Sequence, residues 1–208
     1  MAYSNFSLSD LIKQFGFILK DKNDLFAHIP EVGYSEYLDF TLHYNIRIAS
    51  EINTEKARSE MIITPILLEL RRMLDDKISL FSGKEFNVDL EKGLNGACNF
   101  LISLSESQIV IMAPVIAIVE AKKEDLIGGL GQCAAEMYAA QLFNQKEGNQ
   151  IPIIYGVMTS GTVWRFLKLE GNALDVDVAE YYIKDVGKIL GILSSLVKGT
   201  GNDINPII

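Results

Sequence analysis

The sequence is poor in the residues that build disulfide frameworks and zinc sites. It has two cysteines and two histidines among 208 residues. Two cysteines cannot build a disulfide framework, and neither belongs to a C-x-x-C pair that would indicate a zinc site. No apolar run reaches the roughly 18–20 residues that a membrane-spanning helix needs. Residues 1–20 lack a basic start and a cleavage site, so no signal peptide is predicted. We therefore expect a reduced, cytoplasmic protein without a membrane partner.

Basic charge is scarce as well. Lys and Arg number 19 against 27 Asp and Glu, which gives a net charge of −8 and a pI near 4.8. A protein that binds nucleic acid usually displays a basic surface, because phosphate neutralisation supplies much of the affinity. The longest basic runs here are the pairs Arg71-Arg72 and Lys122-Lys123. Any contact with DNA should therefore be weak and dependent on salt.

The composition is otherwise that of a globular chain. Hydrophobic residues make up 49% and charged residues 22%, close to the averages for soluble domains, which excludes a disordered chain. The length favours a single domain, which we place at residues 1–198, followed by a polar tail at 199–208. Its parts are a helical and loop extension at 1–50, a core at 51–169, and a closing strand and helix at 170–198.

Helical patterns occur at four places in the sequence. They are a first helix capped by Ser7, Ser9 or Asp10 and extending to Leu19, a second from Asn53 or Thr54 to about Asp76, a third from Glu124 and Asp125 to about Gln145, and a fourth from Asp185 to Val197. Pro65 interrupts the second pattern. Either Thr64 caps a new helix there, or one long helix kinks.

Strand patterns follow the segment Phe81-Ser82-Gly83. Cys98 to Leu104 alternates, with Cys98, Phe100, Ile102 and Leu104 on one face and Asn99, Leu101 and Ser103 on the other. Further strands are expected at Val115–Val119, which is apolar throughout and so covered on both faces, at 151–159 and 162–168 joined by Ser160-Gly161, and near Leu174. This order of elements predicts an α/β fold in which helices flank a mixed sheet on both faces.

The segment that could carry chemistry is Glu120-Ala121-Lys122, at the end of the buried strand. The side-chain period of two places Glu120 and Lys122 on one face and Ala121 on the other. A carboxylate and an ammonium in that position can hold a divalent cation and a water, since Mg²⁺ is usually bound by one or two carboxylates and substrate phosphate. The alternative is an ordinary solvated ion pair, because short motifs match often by chance.

The surrounding sequence resembles the PD-(D/E)XK nuclease superfamily over Arg58 to Leu169. The runs that carry the resemblance are ARSEMIITPILLELRRM, LNGACNFLISLSES and PVIAIVEAKKEDLIGGLGQCAAEMYAAQ. They are most similar to small endonuclease-like proteins of bacteria and to the nuclease module of type I restriction subunits. The fold that this resemblance implies is the restriction-endonuclease-like one, a mixed sheet with helices on both faces.

The resemblance also implies a set of site residues. They are Glu60 on a helix, Asn99 on one strand, Glu120 and Lys122 on the next, and Gln132 and Tyr138 on the following helix. Position 99 is expected to be Asp, and Asn brings a carbonyl oxygen without charge. Glu60, or Asp89 and Glu91 just upstream, could supply the missing carboxylate. Tyr138 could equally be a half-buried core aromatic.

The activity implied is hydrolysis of DNA phosphodiester bonds with Mg²⁺ or Mn²⁺. Glu120, Asn99 and Glu60 would bind the metal, and Lys122 would orient or deprotonate the attacking water. Gln132 would position water or phosphate. Asn99 and the negative net charge favour a second interpretation, in which the same fold is catalytically silent and acts as a binding or assembly module, with a homo-oligomer among the assemblies left open.

Overall fold

The structure is a computed structural model and describes residues 2–201. The chain is mixed α/β. Its helices are α1 (Leu8–Phe15), α2 (Glu36–Ile52), α3 (Glu55–Arg58), α4 (Thr64–Met73), α5 (Leu130–Lys146) and α6 (Val186–Gly201). Its strands are β1 (Ile18–Lys20), β2 (Ser79–Glu85), β3 (Ala97–Ser103), β4 (Val115–Ala121), β5 (Ile153–Thr159), β6 (Val163–Glu170), β7 (Ala173–Val176) and β8 (Tyr181–Tyr182).

The eight strands form one mixed sheet. Its order is β1-β7-β6-β5-β4-β3-β2, and β8 also pairs with β6. Strands β2, β3 and β4 are antiparallel neighbours, whereas β5 runs parallel to β4. Parallel neighbours need a crossover connection, usually a helix, and α5 is that helix. The first and last parts of the chain complete the same sheet, because β1 pairs with β7.

Helices cover both faces of the sheet, as the sequence predicts. One core cluster packs α2, α4 and α6 against residues such as Phe100, Val119 and Phe166. The other packs α1 and α5 against residues that include Leu101 and Ile118. Strand β4 lies between the two clusters and is buried at every position. The prediction of a strand covered on both faces is confirmed.

The N-terminal helix begins where the sequence predicts but ends earlier. Ser7 accepts a hydrogen bond from the Asp10 N–H, and the Asp10 carboxylate accepts one from the Ser7 N–H, which completes a capping box. The helix ends at Phe15 because Gly16 adopts a left-handed conformation with φ of 68°. The expectation of a helix through Leu19 is therefore wrong, since Ile18–Lys20 forms edge strand β1.

The helix around Pro65 continues past the proline, with a local change in its hydrogen bonding. Residues Ser59–Ile63 form a π-helical segment between α3 and α4, and the Thr64 N–H donates to the Ser59 carbonyl. Proline has no N–H and its ring crowds the preceding turn, and a wider π turn accommodates this. Of the two alternatives, the long irregular helix is the better description.

The third helix begins later than the sequence pattern indicates. Glu124 and Asp125 lie in a turn, where the Asp125 carboxylate accepts a hydrogen bond from the Gly128 N–H at 2.7 Å, and α5 begins at Leu130. The two glycines before it disfavour helix because they lose the most backbone entropy. The predicted start at Glu124 is wrong for this reason.

Other expectations about strands and ends need smaller corrections. Phe81 to Gly83 lies inside β2, with Gly83 at a φ of 62°. Cys98 packs in the cluster that holds Leu101, whereas Phe100 and Ile102 pack in the other, so the alternation is broken after Cys98. The hairpin between β5 and β6 turns at Gly161 and Thr162.

The C-terminal helix is longer than the sequence predicts. Helix α6 runs to Gly201, past the predicted end at Val197, and most of the expected tail lies outside the described residues. Between residues 2 and 201, none of the helices combines the length and the apolar character that crossing a bilayer requires.

Candidate functional site

The candidate site lies where the parallel strands β4 and β5 end beside the first turn of α5. Glu120 pairs with Met158 and Ala121 with Thr159 in the register of the two strands, and the Lys122 N–H continues the ladder by donating to the Thr159 carbonyl at 2.8 Å. Ligand sites of open α/β sheets form at such carboxyl ends of strands.

Glu120 and Lys122 share a face of β4 and contact each other, as the period of two predicts. The Lys122 Nζ lies 2.8 Å from Glu120 Oε1, with side chains 25% and 1% exposed. Ala121 packs on the opposite side. Gly129 makes room for the lysine, because a Cβ at that position would lie 2.8 Å from Lys122 Cε.

A chain of hydrogen bonds leads from this pair into α5. Lys122 Nζ donates to Gln132 Oε1 at 3.0 Å, and Gln132 Nε2 donates to Glu136 Oε1 at 3.1 Å. Gln132 and Glu136 are one helical turn apart, so their side chains share a face. Glu136 is not among the site residues predicted from the sequence, and its spacing of four from Gln132 is the signal that could have indicated it.

The electrostatics of the pair are set by burial and by neighbouring carboxylates. Burial raises the pKa of Glu120, and the hydrogen bond from Lys122 opposes that rise. Burial lowers the pKa of Lys122, but the hydrogen bond to Glu120 and the charges of Glu120, Glu55 and Glu136 outweigh it, so the pKa is raised overall. Lys122 is therefore a protonated donor at neutral pH.

Glu136 is the most deeply buried carboxyl group of the site. Its exposed fraction is 0%, and burial, with the charge of Glu120 second, raises its pKa well above the usual range. Lys122 reaches Glu136 only through Gln132. Because no cation within residues 2–201 contacts the Glu136 carboxyl group directly, its protonated form is favoured. Among the residues that the structure describes, Glu120 Oε2 and Glu136 Oε2 have no hydrogen-bond partner.

Asn99 lies beside Glu120 on the neighbouring strand. Its Oδ1 accepts a hydrogen bond from the Ala121 N–H at 2.8 Å, and its own backbone N–H lowers the pKa of Glu120. The amide oxygen thus takes the place of a backbone acceptor at the end of the β3–β4 ladder. An amide oxygen has a second lone pair, so this bond leaves one acceptor position.

The two glutamates of the preceding helix differ in their relation to the site. Glu60 lies in the π-helical segment, is 62% exposed and approaches Lys56 to 3.7 Å. Glu55, at the start of α3, is the helix carboxylate whose charge raises the pKa of both Glu120 and Lys122. The sequence pattern indicates Glu60 and gives no signal for Glu55.

The remaining candidates have structural partners elsewhere. The Tyr138 ring packs 4.9 Å from Phe15 and 5.6 Å from Phe17, centroid to centroid, which is a half-buried core position. Asp89 contacts Lys92 at 2.9 Å in the loop before β3, and Glu91 is exposed in the same loop.

The residues present fit a divalent cation that takes few protein ligands. Glu120 Oε2 is a buried acceptor without a partner in residues 2–201, and Asn99 Oδ1 lies on the adjacent strand. In that same range, no three or more His, Cys, Asp or Glu side chains come together as a metal-binding group. Mg²⁺ is often held by one or two carboxylates with water and substrate phosphate, and this site offers the minimum of that set.

No protein-family model, curated protein or solved structure matches this chain.

Proposed function

We propose that this chain is a nuclease-type domain that hydrolyses DNA phosphodiester bonds with Mg²⁺ or Mn²⁺. The observation that carries the proposal is the contact between Glu120, Lys122 and Gln132 at the end of β4. The order of elements around it supports the same proposal. A helix precedes three antiparallel strands, and a crossover helix leads to a strand parallel to the third, as the PD-(D/E)XK resemblance implies.

Each residue has a role that follows from its contacts. Glu120, through Oε2, and Asn99 would hold the cation, which supplies charge neutralisation at the phosphate and a lower pKa for the attacking water. Lys122 has three N–H donors, of which Glu120 and Gln132 accept two. The third is left for water or a phosphate oxygen. Gln132 keeps the ammonium in place.

A second candidate function is a catalytically silent module for binding or assembly. Two contacts favour it, since the Asn99 oxygen is bonded to the Ala121 N–H and Glu120 Oε1 to Lys122. Position 99 adds no negative charge to the site, and ligand charge strongly affects the affinity for divalent cations. The net charge of −8 also opposes DNA binding.

The substitution Asn99→Asp tests which candidate applies. Asp keeps an oxygen for the Ala121 N–H and replaces the amide NH₂ by a second carboxylate oxygen, at almost unchanged volume. Without metal the variant should be less stable than the wild type, because like charges in one cleft repel. With Mg²⁺ or Mn²⁺ the difference should reverse, since an ion that binds only the folded state stabilises it by about 2.7 kcal/mol at a hundredfold excess over Kd.

The measurements are the thermal midpoint with and without metal, and nicking of a supercoiled plasmid. Exposed Asn5→Asp adds the same charge away from the site and is the matched control. A metal response larger in Asn99→Asp, with nicking that Glu120→Ala abolishes, would identify a nuclease site weakened by Asn99. Strong nicking by the wild type would indicate that another carboxylate completes the site, and Glu55→Gln would test that. No metal response in either protein rejects the nuclease and favours the module.

A further inference from the structure

Helix α2 carries an exposed aromatic stripe. Tyr37, Phe40 and Tyr44 are 78%, 71% and 64% exposed, and their spacings of three and four place them on one face of the helix. Leu68 of α4 is 53% exposed and lines a groove with Tyr37 between the two helices. A concentrated apolar surface of this kind marks an interaction site.

Charges of opposite sign lie along one edge of this stripe. Positions 36 and 47 differ by 11, about three turns of an α-helix, so Glu36 and Arg47 project from the same edge, one near each end. Both are exposed, and Arg47 also contacts Glu51 one turn away at 2.9 Å. One end of the stripe therefore carries the carboxylate of Glu36, and the other carries the guanidinium of Arg47, whose charge Glu51 partly neutralises.

We infer that the aromatic stripe binds the stripe of a second copy of this chain, with the two α2 helices antiparallel about a two-fold axis. In an antiparallel pair each edge faces the same edge of the other helix, so Glu36 meets Arg47 of the partner subunit. The two-fold axis repeats that ion pair. The same register places Phe40 within one residue of Tyr44 of the partner subunit, where aromatic pairs add to the burial of apolar area.

The charge around the stripe favours a protein occupant over nucleic acid. Surfaces that stack nucleobases combine aromatic side chains with a basic groove, whereas Glu36 and Asp39 lie next to these aromatics in a chain of net charge −8. The area indicates a weak dimer. Aromatic side chains bury roughly 150–250 Å² each, so three of them supply at most about 450–750 Å², which is below the ~800 Å² per partner of a standard interface.

Charge reversal at the two ends tests both the dimer and its geometry. Sedimentation equilibrium over the micromolar range should show a reversible dimer of the wild type. Glu36→Arg sets Arg against Arg and Arg47→Glu sets Glu against Glu, so each variant alone should dimerise at least about tenfold more weakly. An equimolar mixture of the two variants should dimerise as the wild type does, because both ion pairs are then restored.

The controls separate this geometry from loss of folding and from other occupants. Tyr44→Asp should abolish the dimer, whereas Ile109→Asp, at a residue 83% exposed in the loop before β4, should leave it unchanged. Circular dichroism and thermal midpoints establish that each variant folds. A wild type that stays monomeric, or a mixture no better than its components, overturns the inference. The inference is also overturned if the wild type is a monomer that binds a single-stranded oligonucleotide and the variant Tyr44→Asp does not bind it.

Discussion

The residues at the candidate site place two carboxyl groups around one ammonium. Lys122 contacts Glu120 directly and Glu136 through Gln132. Two ionised carboxylates in so buried a site would repel each other, and burial raises the pKa of both. Lys122 stabilises the nearer one, so Glu136 keeps its proton. The amide of Gln132 is thereby fixed, with its oxygen toward Lys122 and its nitrogen toward Glu136.

Glu136→Gln should make the protein more stable at neutral and alkaline pH. The folded pKa of Glu136 is raised above its unfolded value of about 4.5, so the wild type is most stable below that value. As the pH rises, the unfolded chain releases the proton and the folded chain does not, which costs up to about 1.4 kcal/mol per pH unit until the folded pKa is reached. Glutamine keeps the shape and removes this cost.

The measurement is urea unfolding of both proteins at several pH values. The advantage of Glu136→Gln should be smallest near pH 4 and should grow with pH. Exposed Glu106→Gln serves as the control and should show no such trend. A constant difference between Glu136→Gln and the wild type at all pH values would mean that Glu136 is ionised in the folded protein.

Part of this site is predictable from the sequence. The period of two in a buried strand predicts that Glu120 and Lys122 meet, and the structure confirms the contact. Which of Glu55 and Glu60 influences the site is not predictable from the sequence. The π-helical segment Ser59–Ile63 has more residues per turn than an α-helix, so the faces of the helix before and after it do not follow one regular period. Glu136 was missed because it lies among apolar residues, where a carboxyl group is rarely expected.

At the scale of elements, prediction succeeds where one face of an element is buried and the other is not. Strand β4 and the capped start of α1 have clear patterns. Helix α2 was not predicted, since its buried residues Leu38, Leu42 and Ala49 alternate with the exposed aromatics of the stripe, which blurs the period of 3.6. Edge strand β1 has only three residues, all of them exposed, and so carries no pattern.

Gly131→Ala should destabilise the protein even though alanine favours helix. In a free helix the change would stabilise by about 1 kcal/mol. Here a Cβ would lie 2.2 Å from the Phe6 carbonyl oxygen and 2.6 Å from Ser7 Cα, so the backbone before α1 must move away from α5. We expect a net loss of about 1–3 kcal/mol, the usual range for overpacking, measured by urea unfolding.

Gly199→Ala is the matched control, because a Cβ at position 199 in α6 meets no neighbour within 4 Å among residues 2–201. That variant should be as stable as the wild type or slightly more so. Equal behaviour of the two variants would contradict the close packing of α5 against the N-terminal segment.

At the scale of the whole molecule, the sheet joins distant parts of the chain, since β1 near the N-terminus pairs with β7, and ion pairs occupy one of the two basic pairs in the sequence. Of the two basic pairs in the sequence, Arg71 contacts Asp76 at 2.8 Å and Arg72 contacts Glu69 at 2.6 Å. Lys122 and Lys123 remain, at the candidate site itself, and Lys123 approaches Glu124 only to 4.0 Å. The DNA contact proposed above would therefore involve few cations, with Lys122, which Glu120 also contacts, and Lys123 as those nearest the site.

DNA binding by this protein should have a shallow dependence on salt and a low affinity. Each neutralised phosphate contributes about −0.9 to the slope of log K against log salt concentration, so two or three phosphates give a slope of about −2 to −3. Fluorescence anisotropy of a labelled duplex, with Ca²⁺ in place of Mg²⁺ to prevent cleavage, measures that slope. Lys123→Glu should lower its magnitude by about 1, whereas Lys13→Glu, at an exposed position of α1, should leave it unchanged. A slope near −6 would require a cationic surface away from the site, and tight binding unchanged at high salt would mean that contacts other than phosphate neutralisation hold the complex.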